Sequence, residues 1–299
     1  MRLDNAIRLF IASTHNPATR RSYMQTLREL ESQIGGGRPL VNVESAHIIE
    51  LIQALHVRRL APATIHRHIK TIKAFFNWCI HLEYLEKSPA APVKNRRPQT
   101  YIERDKAMSD DELAAIISYV RWKPRDHALV LFVADTGCRA AGAAGLRLAD
   151  LDLDKQQAYV IEKGNKRRPV WFGNRCTRAF RVWLIKRRGD RGEYVFMMDG
   201  KKMQADNVST IIRRACKAVG IRSLGAHSLR HRKGHALADA RVAPSVAATA
   251  LGHERVLTTM EHYYPADYDS AEAAIRELVT PDNTRKPTNV VKLPQRKNG

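Results

Sequence analysis

Residues 251–264 read LGHERVLTTMEHYY, a Leu-Gly-His turn followed by two threonines, a second histidine and two adjacent tyrosines. Either the aromatics pack inward from an amphipathic helix, or one tyrosine is a reagent. On a continuous helix the step from His253 to Tyr263 turns roughly 1000°, leaving the two about 80° apart, so they converge more easily across a break. Three other stretches carry polar residues in patterns that need explaining. In TGCRAAGAAGL, Arg139 follows a Thr-Gly break at a helix start, where its fork can address an anion beside free backbone amides. In EKGNKRRP, Lys163 lies at the base of a basic turn and could deliver a proton. In HSLRHRKGHALAD, His227 and Arg230 share a helix face and could address one ligand. His231 and His235 have the spacing of a metal pair, but no carboxylate or third ligand of known spacing accompanies them.

The elements that must position these groups follow from periodicity. NPATRRSYMQTLRELESQI opens on Asn16-Pro17 and spaces Tyr23, Leu27 and Leu30 as a helix does. SAHIIELIQALHVRR forms a second periodic segment from Ser45. APATIHRHIKTIKAFFNWCIHLEYL carries Ile65, Ile69, Ile72, Phe75, Phe76 and Cys79 on one stripe, leaving Arg67, His68, Lys70 and Lys73 for its other faces. Residues 1–93 therefore read as a helical module with basic faces. SPAAPVKNRRPQTYIERDKA holds three prolines and a cluster of positive charge with little apolar periodicity, and its part 94–106, with Lys94, Arg96 and Arg97, reads as a basic interdomain linker. A second module, 107–280, begins with Ser109 as N-cap and Glu112 closing a capping box. Its helices cover HALVLFVADT, TRAFRVWLIKRR, DNVSTIIRRACKAV, HSLRHRKGHALADA and PSVAATAL. QAYVIEKGNKRRPVWFG reads instead as a β-hairpin. Tyr159 and Ile161 are its alternating apolar residues, Gly-Asn its turn, and Lys163, Lys166, Arg167 and Arg168 its tip. Residues 281–299 read as a basic, solvated tail. The fold class is mainly α with a small β-hairpin (α+β), in two domains.

Lys and Arg number 51 against 30 Asp and Glu, a formal charge of +21 over 299 residues. Such an excess attracts polyanions, above all nucleic acid. No basic amphipathic helix or lipidation signal supports a membrane surface, and no apolar run is long enough to span a bilayer. The start lacks a signal-peptide core, so a cytoplasmic, nucleoid-associated protein is expected. Four scattered cysteines without a CxxC pair read as reduced thiols rather than a disulfide framework or zinc site.

The order TGCR, KGNK, HSLR, LGH and then tyrosine resembles the tyrosine recombinase (phage integrase) family. The helical module and basic linker resemble that family's core-binding, SAM-like domain, so the resemblance runs to about residue 280. It implies a catalytic domain over 107–280 and site-specific DNA recombination through a 3′-phosphotyrosine, without metal, ATP or other cofactor. Arg139 and Arg230 then match the phosphate clamp, His227 the general base, Lys163 the general acid, His253 a phosphate hydrogen-bond donor and Tyr263 the nucleophile. The residue types suit the reaction. Forked arginines neutralise charge gathering on the non-bridging oxygens. A tyrosine with an ordinary pKa near 10 needs a proton acceptor and cations at pH 7.

Many relatives read TTxxY, which would put His262 at the nucleophile position. Others read TTxxHY, which TTMEHY fits, with Tyr264 as the competitor. Gly142 stands where the family often has an acidic residue, which implies either looser support for Arg139 or replacement by another carboxylate such as Asp135. Arg232 and Lys233 replace small apolar residues, consistent with a basic DNA-facing surface. Lys166, Arg167 and Arg168 on the hairpin and Arg67, Lys70, Lys73, Lys94, Arg96 and Arg97 in the first module and linker are the expected DNA contacts. The implied partner is double-stranded DNA at a specific core site, bound by a homotetramer assembled from monomers, with an accessory factor or second recombinase as a further possibility. The segment YDSAEAAIRELV is the candidate for packing into a neighbouring protomer. Two rival readings are a catalytically silent DNA-binding accessory protein and a type IB topoisomerase-like enzyme.

Overall fold

The computed structural model describes residues 1–95, 104–162, 164–187 and 192–264. The chain divides into two compact units, Met1–Gln99 and Thr100–Gly299. Described residues form helices and small antiparallel sheets, the α+β class expected from the pattern.

The first unit is helical. Helices α1 (Leu3–Ser13), α2 (Pro17–Ile34), α3 (Ser45–Val57) and α4 (Pro62–His81) enclose an apolar core. The sequence reading began its helices at Asn16 and did not single out α1, which is tied in by Leu3, Ala6, Ile7 and Phe10. Phe10 stacks on Tyr23 at 5.2 Å and meets Phe75 and Trp78 edge-on. Pro62 occupies the first turn of α4, where its missing N–H costs nothing. The expected stripe of α4 is buried, but His68 is buried with it and lies 3.7 Å from Glu29. Burial outweighs the Glu29 charge and holds this imidazole below its ordinary pKa. Arg67, Lys70 and Lys94 are exposed, and Lys73 is half-buried.

In the second unit the Ser109–Glu112 capping box closes as expected. The Glu112 backbone N–H donates to Ser109 Oγ at 3.1 Å, and the Ser109 N–H donates to Glu112 Oε2 at 2.8 Å. It starts α5 (Asp110–Val120), which leads to α6 (Pro124–Thr136). Residues 128–134 of α6 are buried on every side, so this helix forms the middle of the core rather than one face of it. Phe132, Phe172, Phe180 and Phe196 pack around it at centroid distances of 5.4–6.0 Å. Gly137, at φ +59°, ends α6 in the left-handed region and turns the chain into α7 (Ala140–Ala144).

A three-stranded antiparallel sheet follows, in the order β1 (Leu151–Asp152), β2 (Gln157–Glu162) and β3 (Lys166–Trp171). Glu162 pairs with Lys166 across the turn, and Gly164 and Asn165 both have positive φ. The hairpin is as expected, but its inward face is shifted by one residue. Ala158, Val160 and Glu162 are buried, whereas Tyr159 is exposed beneath the Arg167 guanidinium at 3.9 Å. A one-residue shift exchanges the two faces of a strand, and here it turns a carboxylate inward. The remaining elements are α8 (Asn174–Lys186), the ribbon β4 (Met197–Met198) and β5 (Lys201–Lys202), α9 (Ala205–Ala218), α10 (Ala226–Asp239), α11 (Pro244–Leu251) and α12 (Val256–Tyr263). All four cysteines are buried and unpaired. No helix among the described residues is long and apolar enough to cross a membrane.

Candidate active site

Gly252, at φ +67°, breaks the chain between α11 and α12. The break folds α12 back so that the His253 ring stacks on Tyr263, centroids 6.3 Å apart and nearly parallel at 7°. The convergence that a continuous helix would deny is therefore present. His253 Nδ1 is held 2.6 Å from Thr259 Oγ1, a hydrogen bond that fixes the ring's orientation.

Tyr263 is buried at 3% exposure. Its ring lies on the backbone of α10 at Gly234, where a Cβ would come within 2.4 Å of Tyr263 Cζ. Only glycine leaves that space. The Tyr263 hydroxyl is 3.0 Å from His231 Nδ1. Burial raises the phenol above its ordinary pKa, and the charges of Arg230 and Arg139 offset this only in part. Tyr264 differs: its hydroxyl donates to the Val242 carbonyl at 2.6 Å. That bond ties Tyr264 to the connection between α10 and α11.

Arg230 projects from α10 and is 3% exposed. Its Nη1 donates to the Gly137 carbonyl at 2.8 Å, while its Nη2 is buried with no hydrogen-bond partner. Burial and the nearby Arg139 charge bring its pKa down to about 10, still cationic at pH 7. Arg139 is the N-cap of α7. Its backbone N–H donates to Glu162 Oε1 at 2.8 Å, its guanidinium pairs with Glu162 Oε2, and its Nη1 donates to the Gly252 carbonyl at 3.2 Å. Two guanidiniums thus flank the His253–Tyr263 pair. A buried donor with nothing to donate to is costly, and an anionic oxygen would satisfy it.

His227 and His231 stack one turn apart on α10, centroids 5.8 Å apart. Partial desolvation lowers the pKa of His227 although the residue is exposed, and the Arg230 and Arg139 charges lower it further. For His231, burial and then the neighbouring His227, His262 and His235 bring the pKa to about 4. For His253, burial and then Arg230 and Arg139 bring it to about 3. These rings are neutral at pH 7. No group of three or more His, Cys, Asp or Glu that could hold a metal ion occurs among the described residues. His235 meets the Tyr263 ring edge-on at 5.2 Å.

An open cleft of about 570 Å³ adjoins these groups, lined by Arg139, Glu162, Lys166, Arg168, His253 and Thr258 among others. Of the hairpin cations, Lys166 and Arg167 are exposed and pair with Glu254 at 2.6 Å and Asp150 at 2.7 Å. Arg168 departs from expectation. Its side chain is 13% exposed, turned inward onto Glu162 at 3.2 Å and the Ala250 carbonyl at 2.9 Å. It is not a free cation at the tip, because β3 points it under the Gly252 turn. Lys163, Arg96 and Arg97 lie outside the described residues. Asp135 does not support Arg139; it accepts the Gly173 N–H at 2.9 Å. Arg232 is likewise engaged, with Asp110.

Sequence reasoning missed His231 as the partner of the tyrosine hydroxyl, Gly234 as its seat, and Glu162. The signal for His231 was its position one turn after His227. The signal for Glu162 was a lone carboxylate beside four cations, obscured by the misread strand face.

Two family models match the chain: "Phage integrase family" over residues 106–270, and "Phage integrase, N-terminal SAM-like domain" over residues 7–83. A tyrosine recombinase XerC of Corynebacterium glutamicum is 30% identical over 218 residues, covering 71% of this chain and 70% of the relative. A XerC of Mycobacterium bovis is 27% identical over 263 residues, covering 83% and 88%. Among solved structures, the Tn1549 transposon integrase in complex with transposon right end DNA has a TM-score of 0.73 at 19% identity, over 94% of this chain and 100% of that one. A lambda integrase dimer bound to a COC′ core site has a TM-score of 0.68 at 15% identity, over 89% and 97%. The chain belongs to the phage integrase family and is a tyrosine recombinase, an enzyme of site-specific DNA recombination.

Proposed function

We propose that Tyr263 is the nucleophile of a metal-free DNA strand transfer. The observation that carries this reading is the setting of its hydroxyl, 3.0 Å from a neutral histidine on α10 that also bears Arg230. The Tyr263 oxygen attacks the scissile phosphorus, the P–O bond to the tyrosine forms, and the P–O5′ bond breaks. The phenolic proton passes to the α10 histidines, with His227 in the general-base role and His231 as the hydroxyl's immediate partner. The departing 5′-oxygen takes a proton from Lys163. Arg139 and Arg230 hold the non-bridging oxygens, where developing negative charge meets preorganised donors, and His253 donates to the same phosphate. Attack by a 5′-hydroxyl from a partner strand reverses the step on new DNA. The bond energy is retained in the phosphotyrosine, so no nucleotide cofactor is consumed.

The substrate is duplex DNA at a core site. The +21 charge supports this, as do the structurally similar integrases solved on transposon-end and core-site DNA. The exposed Lys166 and Arg167 on the hairpin and Arg67, Lys70 and Lys94 in the helical unit are the described contacts offered to phosphates. We assign a monomer in solution that assembles as a tetramer on two duplexes, in the cytoplasm at the nucleoid. The segment proposed to join protomers, residues 268–279, lies outside the described residues.

The test is incubation with nicked duplexes tiled from DNA flanking the protein's own gene, in excess chelator, followed by denaturing gels. A denaturant-resistant adduct lost in Tyr263→Phe and kept in Tyr264→Phe is the expected result. Binding without an adduct would indicate the catalytically silent reading. An adduct with supercoil relaxation but no strand exchange would indicate the topoisomerase-like one.

A further inference from the structure

Gly142 is the third residue of α7, whose N-cap is Arg139. An acidic side chain at that position would complete a capping box by reaching back to accept the N-cap backbone N–H. Glycine has nothing to offer. The Arg139 N–H nevertheless donates to a carboxylate, Glu162 Oε1, at 2.8 Å, and the second oxygen of that carboxylate takes the Arg139 guanidinium. A Cβ on Gly142 would lie 3.3 Å from Val160 Cβ, 3.4 Å from Glu162 Cγ and 3.6 Å from its Oε1. The strand carboxylate therefore stands against the space that a helix-borne acid would use.

We propose that Glu162 is the positioning residue for Arg139, supplying from β2 both the cap and the counter-ion that α7 lacks at Gly142. This inference rests on the strand-transfer reading above. Glu162 also binds Arg168, whose guanidinium continues to the Ala250 carbonyl and passes so near Gly252 that a Cβ there would be 2.3 Å from its Nε. Ala250 and Gly252 flank the turn that carries His253. One buried carboxylate thus sets the phosphate-clamping Arg139, and it also pairs with Arg168 beside the turn that carries His253. Burial alone would raise the Glu162 carboxyl, but the Arg139 N–H and the Arg168 and Arg139 charges outweigh it and hold it below the usual range. The group is ionised at pH 7, as a counter-ion must be. Glu162 touches no reacting atom and acts through Arg139.

The experiment measures the rate of covalent adduct formation on whichever duplex the wild-type protein cuts, with melting curves for each variant. Glu162→Gln should slow the reaction about 10- to 100-fold, less than the roughly 100- to 1,000-fold cost of removing a direct donor. Combined with Arg139→Ala, it should add less than about twofold, because one group works through the other. Glu162→Ala should regain at least about tenfold in rate when Gly142→Glu is added, since truncating Glu162 opens the space beside Gly142. If Glu162→Gln fails to fold, Glu162→Asp serves instead, with a smaller loss that Arg139→Ala again masks. A wild-type adduct together with an unaffected Glu162→Gln, or an effect that multiplies with Arg139→Ala, or no rescue from Gly142→Glu, would overturn the proposal and leave the strand-transfer reading intact. No adduct from the wild-type protein would overturn both.

Discussion

Helix α4 of the first unit and helix α10 of the second fill their buried faces in opposite ways. On α4 the buried face is Ile65, Ile69, Ile72, Phe75, Phe76 and Cys79, with His68 as the polar exception, set near Glu29. On α10 the buried residues include Ser228, Arg230, Gly234 and His235. The first choice gains hydrophobic free energy at each position. The second buries a cation and an imidazole and leaves the bare α10 backbone to seat a tyrosine, so it sacrifices stability to hold reactive groups in place. In this molecule, the helix that buries polar and charged side chains is the one proposed to carry the chemistry.

Substitutions on the two helices should therefore fail in different ways. The largest effect is expected at the tyrosine seated on α10: Tyr263→Phe should lower adduct formation on the order of 10⁴-fold or more while leaving the urea-unfolding midpoint nearly unchanged. Next, Phe75→Ala on α4 should cost about 3–5 kcal/mol in urea unfolding, since the ring is fully buried. Arg230→Ala should show the converse. Its adduct rate should fall roughly 100- to 1,000-fold, with a stability change well below that of Phe75→Ala, because the lost guanidinium is buried beside the Arg139 charge. Equal stability losses in Phe75→Ala and Arg230→Ala would break the comparison.

The fourth expectation concerns pH. His231 and His253 have pKa values depressed to about 4 and about 3, both chiefly by burial. Unfolded, such rings take up protons below about pH 6.5, whereas folded they stay neutral until pH 4 to 3. The unfolded state therefore binds more protons in this window, and stability falls as pH drops below about 6.5. Each ring contributes at most about 1.4 kcal/mol per pH unit. Thermal unfolding at pH 7.5, 6.5 and 5.5 should show a plateau and then a decline, and a flat profile would contradict the assigned burial. The smallest effect belongs to Tyr264→Phe, which loses one hydrogen bond to Val242, worth about 0.5–1.5 kcal/mol, with adduct formation retained.

How far the sequence could be read follows the same contrast. The stripe of α4, the capping box at Ser109 and the hairpin at Gly164-Asn165 obey local rules and were legible. So was the need for a break between His253 and Tyr263: α11 ends at Leu251, before His253, and α12 begins only at Val256. What was not legible depended on tertiary placement. Tyr159 and Ile161 look like the apolar face of β2, yet Ala158, Val160 and Glu162 are the buried set. The expected parity leaves Arg168 as a free tip cation and gives Glu162 no inward role. Asp135 was the carboxylate considered for Arg139, because nothing local reveals that it is committed to Gly173. Nothing local marks Gly234 either, because the ring that lies against it comes from a different helix.

The most direct test of the central claim is to isolate the covalent adduct, digest it with trypsin and nuclease, and locate the nucleotide by mass spectrometry. The peptide following Arg255 contains Tyr263, Tyr264 and Tyr268, so fragmentation distinguishes them. A nucleotide linked through its 3′-phosphate to Tyr263 is the predicted result. Linkage to Tyr264 or Tyr268, or a strand break with no covalent nucleotide, would contradict the account.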